Sequence, residues 1–158
     1  MNYIIRKMKE SEYPLLEYFL YEAIYIPQGV EAPPRSIIDH PELQIYVEHF
    51  GTGCADYALA AEVNGEVVGA VWVRIMNDYG HVDEETPSLA ISLYKPYRGL
   101  GIGTALMEAM LSLLKEKGYG GVSLSVQRVN DAVRLYRRLG FLIVDENDEE
   151  YIMVKQLY

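Results

Sequence analysis

The sequence predicts a single mixed α/β domain, with a central sheet of about seven strands, antiparallel in its N-terminal part and parallel at its centre, flanked by about four helices. Three observations carry that reading. Apolar residues recur with strand or helix periodicity in the order β-α-α-β-β-β-α-β-α-β-β. Asn64-Gly65, the pair a two-residue type I′ turn prefers, divides two alternating runs and sets an early antiparallel hairpin. A glycine-rich turn then leads from a short strand into a long amphipathic helix and on to another strand, which is the connection of a parallel pair.

Length and composition bound the class. The chain has 158 residues, half of them apolar, with 14 Lys and Arg against 23 Asp and Glu and a formal charge of −9. That is too apolar for a disordered acidic tail, and the length suits one core. The surplus of acid argues against general nucleic-acid binding, which needs Lys and Arg against phosphate. A single cysteine, Cys54, closes no internal disulfide and builds no multi-thiolate metal site, so a reducing compartment is the simpler setting and Cys54 reads as structural. Met1 to Lys9 lacks the apolar core of a signal peptide, and no run of about 18 uncharged apolar residues occurs to span a membrane. The expectation is a soluble, cytoplasmic protein with no membrane or nucleic-acid partner.

Along the chain, Asn2 to Met8 alternates as a first strand, and Ser11, followed by Glu12 and Pro14, starts a helix to about Ala23. Tyr25 to Ile38, with Pro27, Gly29, Pro33 and Pro34, is a long irregular loop of the kind that more often serves function than decoration. Pro41 opens a second helix to about Phe50, which Gly51 and Gly53 break. Tyr57 to Val63 and Glu66 to Ile75 form the hairpin; along its second strand Val67, Gly69, Val71, Val73 and Ile75 share one face, with Val68, Ala70 and Trp72 on the other. Met76 to Pro87 is a polar loop and Leu89 to Leu93 a short strand. From Ile102, the residues Ala105, Leu106, Ala109, Met110, Leu113 and Leu114 continue one helical stripe that ends near Gly118. Val122 to Val126 is the next strand, and Asn130 caps a short helix over Asp131 to Leu139 that stops at Gly140. Phe141 to Val144 and Tyr151 to Val154 are two last strands around an acidic turn.

Charge is unevenly placed. Tyr94 to Phe141 carries eight basic and three acidic residues inside an otherwise acidic chain. Solvated helix faces explain part of this, and an anionic ligand held by the segment is the alternative. The glycine turn decides between them. It reads Tyr97-Arg98-Gly99-Leu100-Gly101-Ile102-Gly103-Thr104, where glycines admit a ligand close to the backbone and the first N–H groups of the helix are unpaired and partly positive. A nucleoside-triphosphate loop fails here because Gly103, not Lys, precedes Thr104. The dinucleotide pattern fails as well, since its third glycine position holds Thr104 or Leu106 and no acid closes the strand at Val126-Gln127.

What remains, Arg98 to Gly103, resembles the pyrophosphate-binding signature of the GNAT superfamily of acyl-CoA-dependent N-acyltransferases, and Asn130 to Phe141 resembles that superfamily's second conserved block. With the strand order, the resemblance covers Asn2 to Val154. It implies one N-acetyltransferase domain over residues 1–158, acetyl-CoA as co-substrate, no metal, and a primary amine as acceptor, attacking the thioester directly in a ternary complex. It further implies that the N–H groups from Arg98 through Gly99, Leu100, Gly101, Ile102 and Gly103 to Thr104 hold the pyrophosphate. The strand over Leu89 to Leu93 would splay from its parallel neighbour, and the pantetheine arm would pair along the open backbone at Leu93 and Tyr94, one of whose N–H groups polarises the thioester carbonyl. Asn130 would hydrogen-bond the arm and Tyr136 would sit near the sulfur as general acid. A leaving thiolate of pKa about 8.5 and a tyrosine of about 10 suit that exchange. Arg98, Arg134, Arg137 and Arg138 are candidates near the phosphates, and a dimer through the C-terminal strands is a further implication.

The resemblance departs at two places. No acid lies in the strand that begins at Ser88-Leu89, where relatives place a general base, so Glu84 and Glu85 are the nearest candidates, with His81 and Asp83 behind them. Pro96 stands two residues before Arg98 rather than three. Acceptor specificity falls to Tyr25 to Ile38 and Met76 to Pro87, where Tyr21 and Tyr25 offer walls and Glu22, Glu31 and Asp39 offer attraction for a cationic amine. A non-catalytic acyl-CoA binding or sensing module is the alternative, supported by the missing strand carboxylate.

Overall fold

The computed structural model describes residues 2–158. Seven strands form one sheet in the order β1-β2-β3-β4-β5-β7-β6: β1 Ile4–Lys7, β2 Tyr57–Val63, β3 Glu66–Arg74, β4 Ser88–Leu93, β5 Gly121–Gln127, β6 Leu142–Glu146 and β7 Glu150–Gln156. Four helices flank it: α1 Leu16–Ala23, α2 Pro41–Gln44, α3 Ile102–Glu116 and α4 Ala132–Arg138. Among these residues no helix is long and apolar enough to cross a membrane.

The β2–β3 hairpin turns at Asn64 (φ 51°) and Gly65 (φ 83°), both left-handed as a type I′ turn requires. Every strand pair is antiparallel except β4 and β5, whose parallel register is Ser88 opposite Ser123 alone. Beyond that pair the strands part. All of β4 pairs with β3 and all of β5 pairs with β7, so each follows the twist of its own half-sheet.

Side-chain alternation gives the sheet two buried faces. On one, α3 and α4 cover Leu59, Val71, Leu89, Val122, Leu124 and Phe141 with Leu106, Met110 and Tyr136. On the other, α1 sets Leu16, Phe19 and Leu20 against Ala60, Ala70 and Trp72. The α3 stripe is rotated from the expected one: Met107 and Leu111 are buried, whereas Ala105, Ala109 and Leu113 are only half-buried. Long side chains reach the sheet where the alanines do not.

Three local expectations are corrected. The chain from Glu10 to Leu15 is a 3-10 turn containing Pro14, and the α-helix starts only at Leu16. The second helix is one turn, because side chains from β3 take the carbonyls that would continue it: Trp72 Nε1 donates to Tyr46 O (3.0 Å), and Arg74 Nη1 to Ile45 O and Glu48 O (3.0 and 2.8 Å). In β3 the strict alternation fails at a bulge. Ala61 opposes Gly69 and Glu62 opposes Val67, leaving Val68 as the extra residue. Val68 therefore joins Val71 and Val73 on the α3 face, and Val67 joins Ala70 and Trp72 on the α1 face.

Candidate active site

The anion cradle forms at the start of α3. Gly99 (φ 74°) and Gly101 (φ 86°) are left-handed, and a Cβ placed on either would meet nothing within 4 Å, so the backbone is open to a ligand. The first intrahelical bond runs from Ala105 N to Gly101 O (3.1 Å). Among the described residues, no N–H from Gly99 through Thr104 has a protein acceptor: six donors stand free beside the positive end of a 15-residue helix. This fits a pyrophosphate. Arg98 stands apart, since its N–H is spent on Lys95 O (3.2 Å) in the turn that Pro96 shapes. Its guanidinium is turned to Leu93 O (Nε, 2.9 Å) and to the Glu22 carboxylate (Nη2, 3.1 Å). Arg134, Arg137 and Arg138 are exposed on α4 and do not line the cleft.

The cradle opens into the gap between β4 and β5, a cleft of about 1640 Å³. That exceeds the roughly 300–1,000 Å³ of an ordinary small-molecule site and leaves room for two substrates. Tyr94 N donates to Val68 O (2.9 Å), so its amide is taken by β3. The alternation of N–H directions along a strand then turns the Leu93 amide to the open edge. Of the two amides singled out in the sequence, Leu93 is the one left free.

Tyr136 projects from α4 into the same cleft. Its ring lies 6.0 Å from Phe141, and its hydroxyl has no hydrogen-bond partner among the described residues. Burial pushes its pKa up to about 12. The N-cap position of α4 falls to Asp131 rather than Asn130, but Asn130, one residue earlier, still meets the first N–H groups: its Oδ1 accepts from Ala132 N (2.9 Å) and its carbonyl from Val133 N (3.1 Å). The amide NH₂ of Asn130 is left for the cleft that the residue lines.

On the α1 face, the irregular segment 24–34 borders the cleft, and Tyr25 Oη reaches to 3.4 Å from Val129 O on the far side of the gap. Tyr21 is tied by its hydroxyl to Pro33 O and covered by the Arg35 guanidinium. Glu31 and Asp39 are exposed and outside the cleft wall. Glu84 and Glu85 are not brought to the cleft either. Glu84 is exposed and 3.7 Å from His81 Nε2, and Glu85 donates its N–H to Asp83 Oδ1 (2.8 Å), which closes a tight turn away from the cleft. Cys54 is exposed, not packed.

Two residues that the sequence did not mark stand there instead. Tyr46 donates to Asp78 Oδ2 (2.8 Å), and Asp78 Oδ1 accepts from Ser88 Oγ (2.9 Å); burial and then the Asp78 charge push the Tyr46 phenol up. Glu150, half-buried at the start of β7, lines the cleft with its pKa raised by burial and then by Glu149 and Asp78. It was hidden in the acidic run 145–150, which reads as a solvated turn. The signal was its position directly before the alternating run at Tyr151.

The acetyltransferase (GNAT) family model matches residues 20–141. The chain is 34% identical over 129 residues to an N-alpha-acetyltransferase of Sulfurisphaera tokodaii, covering 71% of this chain and 75% of that one. It is 33% identical over 110 residues to the "Probable N-acetyltransferase san" of Drosophila melanogaster, covering 68% of this chain and 58% of that one. In fold it matches the PaiA N-acetyltransferase of Thermoplasma acidophilum, solved in complex with coenzyme A, at a TM-score of 0.71 with 20% identity over 99% of both chains. A match that runs through both the glycine turn and the Asn130–Phe141 run places the chain in the acetyltransferase (GNAT) family, as an acetyl-CoA-dependent acyltransferase.

Proposed function

We propose that residues 1–158 act as one N-acetyltransferase domain that moves an acetyl group from acetyl-CoA to a primary amine by direct attack in a ternary complex. The observation that carries this reading is the open edge of β4, with the free Leu93 amide running into the six-donor cradle. The cradle from Gly99 to Thr104 holds the pyrophosphate, and the Asn130 amide donates to the pantetheine arm. Acetyl-CoA supplies a thioester whose carbonyl accepts a nucleophile and whose sulfur leaves. The Leu93 N–H donates to that carbonyl oxygen as negative charge grows on it.

Tyr136 serves the departing sulfur. Burial holds the phenol protonated, with its pKa pushed up to about 12, so it stands ready to donate a hydrogen bond to the thiolate as the C–S bond breaks. The acceptor enters from the α1 face, past segment 24–34 and Tyr46. Glu22, Asp131 and Glu150 on the cleft wall favour a cationic amine. Exposed Leu142 and Val144 along the unpaired edge of β6 support a dimer through the C-terminal strands. The test is free-thiol release from acetyl-CoA on adding an amine; thiol release with a peptide α-amine, a lysine side-chain amine or spermidine is expected for at least one of the three.

A further inference from the structure

We infer that Glu150 is the group that receives the proton of the acceptor ammonium; this rests on the amine-acetylation reading above. Two observations place it. Glu150 opposes Gln127 across the β5–β7 pair, so the two side chains share a face. Along β5, Ser125 and Gln127 point away from Leu124 and Val126, which lie in the core under α3. Glu150 therefore stands on the α1 side of the gap and Tyr136 on the α3 and α4 side, with the open edge of β4 between them.

Its surroundings leave it free to act. Glu22 is paired with Arg98 and Asp131 is exposed at the start of α4, whereas the Glu150 carboxylate has no hydrogen bond or ion pair among the described residues. The groups facing it are anionic or neutral: Asp78 and Tyr79 from the loop after β3, Tyr46 from the turns after α2, and Glu149 from its own turn. Arg128, the residue after β5, is engaged by the carbonyl of Asn147 and by Glu146. A carboxylate so placed attracts an ammonium and holds a proton more readily than a solvated one.

The acceptor ammonium gives one proton to Glu150, its freed lone pair forms the C–N bond to the acyl carbon, and the C–S bond breaks onto sulfur. The second proton leaves the nitrogen as the amide forms and ends on the thiolate held by Tyr136. Glu150 returns its proton to water, so one proton is released for each thiol.

The experiment compares wild type, Glu150→Gln and Glu150→Asp for thiol release with the same three amines over pH 6–10, alongside the Kd of coenzyme A. The Gln variant is expected to lose about 10²-fold in kcat/KM for the amine at pH 7 and to keep its coenzyme A affinity within about twofold. Its deficit should shrink as pH approaches the amine's own pKa, where the free base needs no acceptor, and the Asp variant should regain about tenfold. A kcat/KM within twofold of wild type, a deficit that is the same at every pH, or a parallel loss of coenzyme A binding would each overturn the assignment while leaving amine acetylation standing. A wild type that releases no thiol with any amine overturns both.

Discussion

Arg98 Nε donates to the carbonyl of Leu93 across 2.9 Å, joining the head of the anion cradle to the residue whose amide faces the open edge of β4. The same guanidinium binds Glu22 at the end of α1, so one side chain spans the cofactor and acceptor sides of the cleft. Arg98→Ala is expected to lower kcat/KM for acetyl-CoA about tenfold, and Arg98→Lys to restore little of it, because an ammonium replaces the charge but not the fork. Steady-state kinetics with acetyl-CoA varied reads this directly.

Gly69 lies opposite Leu93 at the β3 bulge, and a Cβ there would stand 2.2 Å from Leu93 Cδ2 and 3.0 Å from Ser92 O. Gly69→Ala should therefore cost about 1–3 kcal/mol in unfolding free energy and also raise KM for acetyl-CoA, since it displaces β4 at the Leu93 amide. Thermal or urea unfolding together with kinetics tests both halves.

Tyr136→Phe should lower kcat by about tenfold or more and leave the unfolding free energy within about 0.5 kcal/mol, since the hydroxyl has no protein partner to lose. With a pKa of about 12 the phenol stays protonated below pH 10, so the ratio of wild-type to variant rate should be flat from pH 6 to 10. A ratio that falls toward one as pH rises in that range would show that the phenol ionises there and is not held protonated by burial.

Glu12 accepts from both Arg6 Nη1 and Nη2 at 2.8 Å, and that guanidinium holds its carboxyl at about 2 against an ordinary 4.5. A folded pKa below the unfolded one stabilises above pH 4.5 and is lost as pH falls through 2. Glu12→Gln should cost about 1 kcal/mol at pH 7, screened by partial exposure, with the two melting curves converging by pH 2.

The order of elements along the chain, the hairpin and the glycine turn were legible because each rests on short-range rules: period-two and helical alternation, left-handed Asn64-Gly65, and a strand-to-helix turn with free amides. The misreadings are places where distant residues decide. Trp72 and Arg74 take the carbonyls after the second helix from β3, a strand distant in sequence, and Gly69, beside the bulged Val68, leaves the room that Leu93 fills. Glu84 and Glu85 looked near in sequence, but their loop closes on His81 and Asp83. Glu150 enters the cleft only because β7 inserts between β5 and β6, a pairing that no local pattern encodes.

Acetyl transfer to an amine in the β4–β5 gap is tested most directly by following free thiol and acetylated amine together, using purified protein, acetyl-CoA and the three amines. Equal amounts of thiol and acetyl-amine, dependent on the amine and reduced at least tenfold by Gly101→Ala, are the expected result, because a residue with a Cβ is strained at φ 86° and would shift the amides of the cradle. Coenzyme A binding with no amine-dependent thiol on any of the three would contradict it and mark the chain as an acyl-CoA binding module.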